Sequence, residues 1–207
     1  MRRVACTLTL GLVAGSLSAQ VQVGALGYFV RQSTPTDASA QTGSWAGVEA
    51  QLALGRYTFV ARGFGGSLEG TGLSRDIRVT ALAVRRWFGS WLALGLDAEA
   101  ARRESDQDVE VWRLYGAGAT AVTALGSTGL RAMADVTVFP ISNTVASREI
   151  STAVRAEVGL RYSAPRWPVE ARMAYRLEDV AFSDGVDLRF GGVLLGAGVR
   201  FGRSRVR

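Results

Sequence analysis

The chain of 207 residues contains no histidine and no lysine, and all 24 of its basic side chains are arginine. Without an imidazole, nucleophilic catalysis through a Ser–His or Cys–His pair is excluded. Metal sites built on histidine are excluded for the same reason. Cysteine occurs once, as Cys6, so no disulfide can form within the chain. Long apolar runs are also missing. No window holds the roughly 18 uncharged apolar residues that a membrane-spanning helix needs.

Yet 48% of the residues are hydrophobic and the mean hydropathy is +0.14. The apolar content must therefore be spread along the chain, and the way it is spread decides the class. The isoelectric point near 10.4 raises nucleic acid as a partner. The arginines form no patch or helical stripe, however, but alternate with carboxylates, so nucleic acid is not expected. Arginine in place of lysine is most simply the mark of a GC-rich genome.

Residues 1–19 read as a cleaved signal peptide. Arg2 and Arg3 start it, Val4 to Val13 is a short apolar run, and Ala14-Gly-Ser-Leu-Ser-Ala19 offers a cleavage site after Ala19. The run is too short to remain as a spanning helix. A buried N-terminal helix or strand is the alternative. Cleavage would remove Cys6 and lower the formal charge from +6 by two. Residues 20–207 form the remaining domain.

From Val21 onward the apolar period is two, the period of a strand. Residues 150–162 place Ile150, Thr152, Val154, Ala156, Val158, Leu160 and Tyr162 on one face and Ser151, Ala153, Arg155, Glu157, Gly159 and Arg161 on the other. The segments from Leu92, Leu130 and Val169 repeat the pattern. Ten such segments are predicted, at 21–31, 45–54, 57–68, 77–88, 91–104, 109–124, 129–140, 149–163, 169–181 and 186–201. Alternation is weakest at 57–68, 77–88 and 109–124, so eight strands is the alternative to ten. Tight turns at 55–56, 89–90, 126–128 and 164–168 alternate with polar connections at 32–44, 69–76, 105–108, 141–148 and 182–185. Short periplasmic turns and longer outer loops are the habit of outer-membrane barrels. Both termini are then expected on the periplasmic side.

Aromatic side chains fall near the segment ends. Tyr57, Trp87, Phe88, Trp91, Tyr162, Trp167 and Phe201 lie toward the expected periplasmic side. Phe29, Trp45, Trp112, Phe139, Phe182 and Phe190 lie toward the outer side. They are expected to form two girdles at the lipid–water boundaries. The polar face carries charge of both signs. Glu49, Asp97, Glu99, Asp135, Glu157, Glu170 and Glu178 are assigned to it, with Arg62, Arg103, Arg131, Arg155, Arg161, Arg172 and Arg176. Seven carboxylates with seven guanidiniums suggest an ion-paired lumen, because the arginine fork can satisfy two carboxylate oxygens at once. Ordinary solvated surface charge is the alternative reading.

Taken together, the signal, the paired segments and the girdles resemble the small bacterial outer-membrane β-barrels over residues 21–201. The resemblance is one of architecture, and no family-specific motif carries it. It implies an all-β, closed, antiparallel up-and-down transmembrane barrel in the outer membrane. Its last strand fits the barrel-assembly pattern in Val193, Leu195, Ala197, Val199 and Phe201, although the tail Gly202 to Arg207 follows the final aromatic. The enzymes among such barrels use a histidine, which this chain lacks, so no catalytic residues and no cofactor are expected.

Three further features have two readings each. Glu104, Asp106, Asp108 and Glu110 alternate at a spacing that suits weak calcium ligation, or are a solvated loop. Asp97 and Glu99 sit as an acid–base pair would, or are partners of lumen arginines. Arg31, Arg75, Arg78, Arg102, Arg103 and Arg148 lie near the outer rim, where they meet lipopolysaccharide phosphates or pair with neighbouring acids. The functional expectation is a non-enzymatic barrel plugged by its own side chains, in a structural or interaction role. A narrow porin-like channel for ions or small solutes is the alternative, and a soluble periplasmic lipid-binding barrel is a third reading that the girdles disfavour.

Overall fold

The computed structural model describes residues 19–202 except 35–36, 71–72, 106–107, 146–148 and 186. The expected signal peptide, save its last residue Ala19, lies outside the described residues, as do Asp106 and Arg148.

Ten strands follow one another: β1 (Ala19–Thr34), β2 (Asp37–Leu54), β3 (Tyr57–Gly70), β4 (Leu73–Phe88), β5 (Leu92–Glu104), β6 (Val109–Ala124), β7 (Leu130–Val145), β8 (Ile150–Ser163), β9 (Val169–Phe182) and β10 (Asp187–Phe201). Each pairs antiparallel with its neighbours in sequence, and β1 closes on β10 from Val21 opposite Phe201 to Ser33 opposite Arg189. The result is a closed up-and-down barrel of ten strands, with no open edge among the described residues. Closure matters because an unpaired edge presents a row of unsatisfied N–H and C=O groups.

Alternation in the sequence becomes alternation in burial. Along β9, Glu170, Arg172, Ala174, Arg176, Glu178 and Val180 are buried inside, while Val169, Ala171, Met173, Tyr175 and Leu177 are exposed outside. Apolar residues make up most of the exposed wall, among them Leu82, Leu94, Leu96, Val136, Val158 and Leu195. A continuous apolar wall of this kind far exceeds the patch a soluble monomer tolerates. The hairpin β2–β3 turns in two residues, with Gly55 at φ +59° in the left-handed region that favours glycine.

Three features depart from the sequence expectation. First, the ladder continues through much of the polar segments 32–44, 69–76 and 141–148. β1 and β2 are separated only by residues 35–36, and β7 runs on to Val145. Threonine suits a pleated strand, and beyond the apolar band both faces can be solvated while the ladder satisfies the backbone. The two ends therefore differ in polar ladder rather than in loop length. The end bearing 55–56, 89–91, 125–129 and 164–168 is the turn end, and the opposite one the loop end.

Second, bulges break the period. Against Tyr115 to Ala117 of β6, β7 advances from Ile141 to Val138, one residue more than its partner. Pro140, which has no N–H to give the ladder, sits in this irregularity, and both Pro140 and Ile141 point outward. Another irregularity between Ile150 and Thr152 of β8 turns Ile150 inward, 2% exposed, rather than onto the outer face.

Third, the girdles are not two. Phe29, Tyr57, Phe88, Tyr162 and Phe201 are exposed on the wall, and Trp91 and Trp167 are exposed on turns. Trp45, Trp112, Phe139, Phe182 and Phe190 are instead buried in the lumen. Trp87 is half-buried and its indole N–H donates to the Thr58 hydroxyl at 3.0 Å. The reason is parity. Trp45 lies four residues from Glu49, Phe139 four from Asp135 and Phe182 four from Glu178, and an even separation keeps a strand residue on the same face.

Candidate functional site

The interior is layered along the barrel axis. The half nearer the loop end is apolar, packed with Tyr28, Trp45, Phe64, Leu68, Trp112, Leu114, Phe139, Phe182, Phe190 and Leu194. Tyr28 meets Trp45 edge-on at 5.3 Å between ring centroids, and Trp112 meets Phe182 edge-on at 5.8 Å. These are favourable aromatic geometries. They come from β1, β2, β6 and β9, so the rings reach across the lumen.

Beneath this layer lies a belt of charge. Arg155 of β8 donates from Nη1 to Glu99 at 2.5 Å and from Nη2 to Asp97 at 2.9 Å. Arg85 of β4 donates to both oxygens of Asp97, at 2.5 and 3.1 Å. Arg62 pairs with Glu49, and Arg172 donates to Glu49 at 3.2 Å and pairs with Glu157. Arg176 donates to Glu178 at 2.7 Å and stands 3.7 Å from Glu99. The belt is joined to the apolar layer by cations over rings: Arg155 over Phe139 at 5.1 Å, Arg176 over Tyr28 at 5.6 Å and Arg103 over Trp112 at 4.8 Å. Arg103 also donates to Gln32 at 2.6 Å and to Glu110 at 3.3 Å.

The turn-end half is wetter. A cavity of about 80 Å³ is lined by Gln51, Thr58, Arg62, Thr120, Asp135 and Arg161 among others. The side chains of Arg62, Asp135 and Arg161 are 18%, 16% and 24% exposed, against 3–5% for Arg155, Asp97 and Glu99. Exposure thus falls from the cavity toward the belt. Glu170 accepts from Gln22 at 2.8 Å and from Ser163 at 3.2 Å, and stands 3.1 Å from Arg161.

Of the fourteen charged residues expected inside, thirteen are buried or half-buried within the lumen. Arg131 is the exception. It shares the inward row with Met133 and Asp135 but sits at the turn-end rim, where it is exposed. Sequence reasoning missed Arg85, which is 6% exposed. It stands beside Arg86 in the segment whose alternation was too weak to say which of the two faces inward. The hydroxyl of Thr120, which donates to Asp135 at 2.5 Å, was missed as well.

At the loop end, Arg31, Arg78 and Arg102 point outward and are exposed. Arg75 and Arg103 lie on inward rows, half-buried and buried. Of the alternating acids, Glu104 stands 3.1 Å from Arg102, Glu110 accepts from Arg103, and Asp108 accepts from its own neighbour Val109.

No family model matches the chain, and no curated protein matches it. Solved structures do. The outer membrane protease OmpT from Escherichia coli is similar at TM-score 0.54 and 10% identity, covering 95% of this chain and 99% of that one. The chain has the fold of the bacterial outer-membrane β-barrels. Neisserial surface protein A matches at TM-score 0.46 and 13% identity over 88% of this chain and 97% of its own. The translocator domain of autotransporter NalP from Neisseria meningitidis matches at 0.47 and 12% over 92% and 91%. At these identities the likeness is one of fold.

Chemically, the lumen can hold charge in a fixed arrangement and exclude solvent above it. Asp97 and Glu99, the pair with acid–base spacing, are both engaged by Arg155. Each accepts a hydrogen bond from an Arg155 guanidinium nitrogen, the geometry of a lumen ion pair.

Proposed function

We propose that this protein is an integral outer-membrane barrel, exported through a signal cleaved after Ala19, that acts without catalysis in a structural or interaction role, its lumen filled by its own side chains. The observation that carries this reading is the apolar layer at the loop end. Tyr28, Leu68, Leu114, Phe139 and Leu194 are each at most 1% exposed there, so solvent does not reach the side chains of this layer. Ten-stranded barrels are narrow enough for side chains to fill.

The exposed apolar wall supports the membrane placement, with the turn end in the periplasm. Planar-bilayer recording of the purified barrel tests the filled lumen. Silence over the full voltage range is expected, and steady single-channel steps would establish the channel reading instead. The half-wet cavity around Arg161 and Asp135 is what favours that second reading. Fractionation tests the placement: extraction should need detergent, and release by osmotic shock alone would refute it. The mature chain should begin at Gln20 by mass measurement. Purified barrel should leave fluorogenic peptides and phospholipids intact, and turnover of either would overturn the non-catalytic reading. Arg31, Arg78 and Arg102 are suited to the phosphates of outer-leaflet lipopolysaccharide.

A further inference from the structure

We infer that the wall formed by β4 to β7 carries a discrete site for one phosphorylated lipid, its phosphate held by Arg78, Arg102 and Arg113 and one acyl chain laid in a groove over Ala98 and Ala117. This rests on the membrane placement proposed above and specifies which part of the wall binds and through which residues.

The three arginines form a row on the outward face. Arg78 of β4 stands directly opposite Arg102 of β5, and Arg113 of β6 is paired with Ala100, two residues from Arg102 on the same face. All three are exposed. Arg102 reaches Glu104 at 3.1 Å, with both side chains about half exposed, while Arg78 and Arg113 make no ion pair among the described residues. Like charges directly opposite on a sheet are destabilising, and an anion shared between them removes that cost. Guanidinium forks suit the oxygens of a phosphate.

Below the row the wall is indented. A groove of about 500 Å³ is lined by Leu82, Leu96, Ala98, Tyr115, Ala117 and Ile141. Two causes combine in it. Alanine at 98 and 117 leaves the floor low, and the β7 irregularity turns Pro140 and Ile141 outward together as one side of the groove. Arg78 to Leu82 and Arg113 to Ala117 are four residues each, about 13 Å along a strand. A lipid phosphate at the arginine level therefore places its acyl chain along the groove. One step outward the wall turns acidic, with Asp76 opposite Glu104, which sets the depth of the phosphate.

A second copy fits this wall less well. Two barrels related by an axis normal to the membrane would bring their arginine rows to the same depth, like charge against like. A free phosphate ion has the arginines but gains nothing from the groove.

Native mass spectrometry of the full-length barrel released from detergent tests the site. The probes are diphosphorylated lipid A, the same lipid stripped of phosphate, phosphatidylcholine and inorganic phosphate. One diphosphorylated lipid should stay bound per barrel, with retention at least tenfold above the other three. The Arg78→Ala/Arg102→Ala/Arg113→Ala variant should lose that preference. Ala98→Phe, which keeps every arginine and fills the groove, should lower retention of the lipid as well. Arg189→Ala, remote from this wall, should leave it unchanged. Equal retention of the dephosphorylated lipid, native retention in the triple variant, or inorganic phosphate binding as well as the lipid would overturn the site. In each of those cases a barrel that still requires detergent keeps its membrane placement. A chain that stays dispersed without detergent would instead remove that placement.

Discussion

Arg155 shows what a single side chain carries in this interior. Its two terminal nitrogens serve Glu99 and Asp97, its plane lies over Phe139, and it is 4% exposed. Removing one partner of a buried pair leaves an uncompensated charge, which costs about 3–5 kcal/mol. Arg155→Ala should therefore lower stability by about that amount in urea unfolding of the barrel reconstituted in vesicles. Adding Glu99→Gln to the same variant should recover part of the loss, because the stranded carboxylate goes with the arginine, whereas Asp97 keeps Arg85 as its partner. Arg189, which donates to Asp179 at 2.7 Å on the exposed loop-end face, is the contrast: Arg189→Ala should leave the midpoint where it is, since solvated pairs contribute little. Gly118 is as demanding as any charge. A Cβ there would lie 2.7 Å from both Arg85 Nη2 and Thr137 Oγ1. Gly118→Ala should displace Arg85 from Asp97 and lower the thermal midpoint, whereas Gly55→Ala should do so only through turn strain.

At the scale of the strand, the legibility of the sequence was uneven, and for physical reasons. Period-two alternation is a property of each strand alone, so ten strands were predicted, β8 and β9 almost residue by residue, with eight the alternative because three segments alternate weakly. Strand ends were not, because a polar serine–threonine segment reads the same whether it loops or extends the ladder. Bulges were not, because the unpaired residue is defined by the neighbouring strand; Ile150 changed face for that reason. The inward aromatics were legible in principle. Trp45, Phe139 and Phe182 keep step with Glu49, Asp135 and Glu178, and parity outweighs the expectation that rings near strand ends face lipid. Their consequence is energetic. Trp112 is 2% exposed, with Phe182 edge-on and Arg103 above it. Trp112→Ala should cost about 3–5 kcal/mol, the usual range for deleting a buried aromatic. The same truncation at Trp91, exposed on its turn, should change unfolding much less.

For the whole molecule, the interior is graded along the barrel axis: a half-wet cavity at the turn end, a belt of charge, then an apolar layer. On the proposed filled lumen, thinning that layer should open a path for ions. The double variant Trp45→Ala/Trp112→Ala should give ion leakage in the planar bilayer well above that of the native barrel. Single substitutions in the belt, such as Glu99→Gln, should stay silent while the aromatic layer holds. Leakage from the belt variant with no leakage from the double variant would relocate the seal to the charges.

The charge belt also bears on how the sheet closes. Its partners are far apart along the chain: Arg172 meets Glu49 at a separation of 123 residues, and Arg155 meets Glu99 at 56. Gln22 of the first strand meets Glu170 of the ninth at 148. An incomplete sheet, lacking its first or last strands, would present these groups to lipid with their counterparts missing. Pairs that reach across the lumen, such as Arg172 of β9 with Glu49 of β2, form only when the sheet curls into a cylinder. The belt therefore stabilises the closed, correctly registered cylinder over an open sheet.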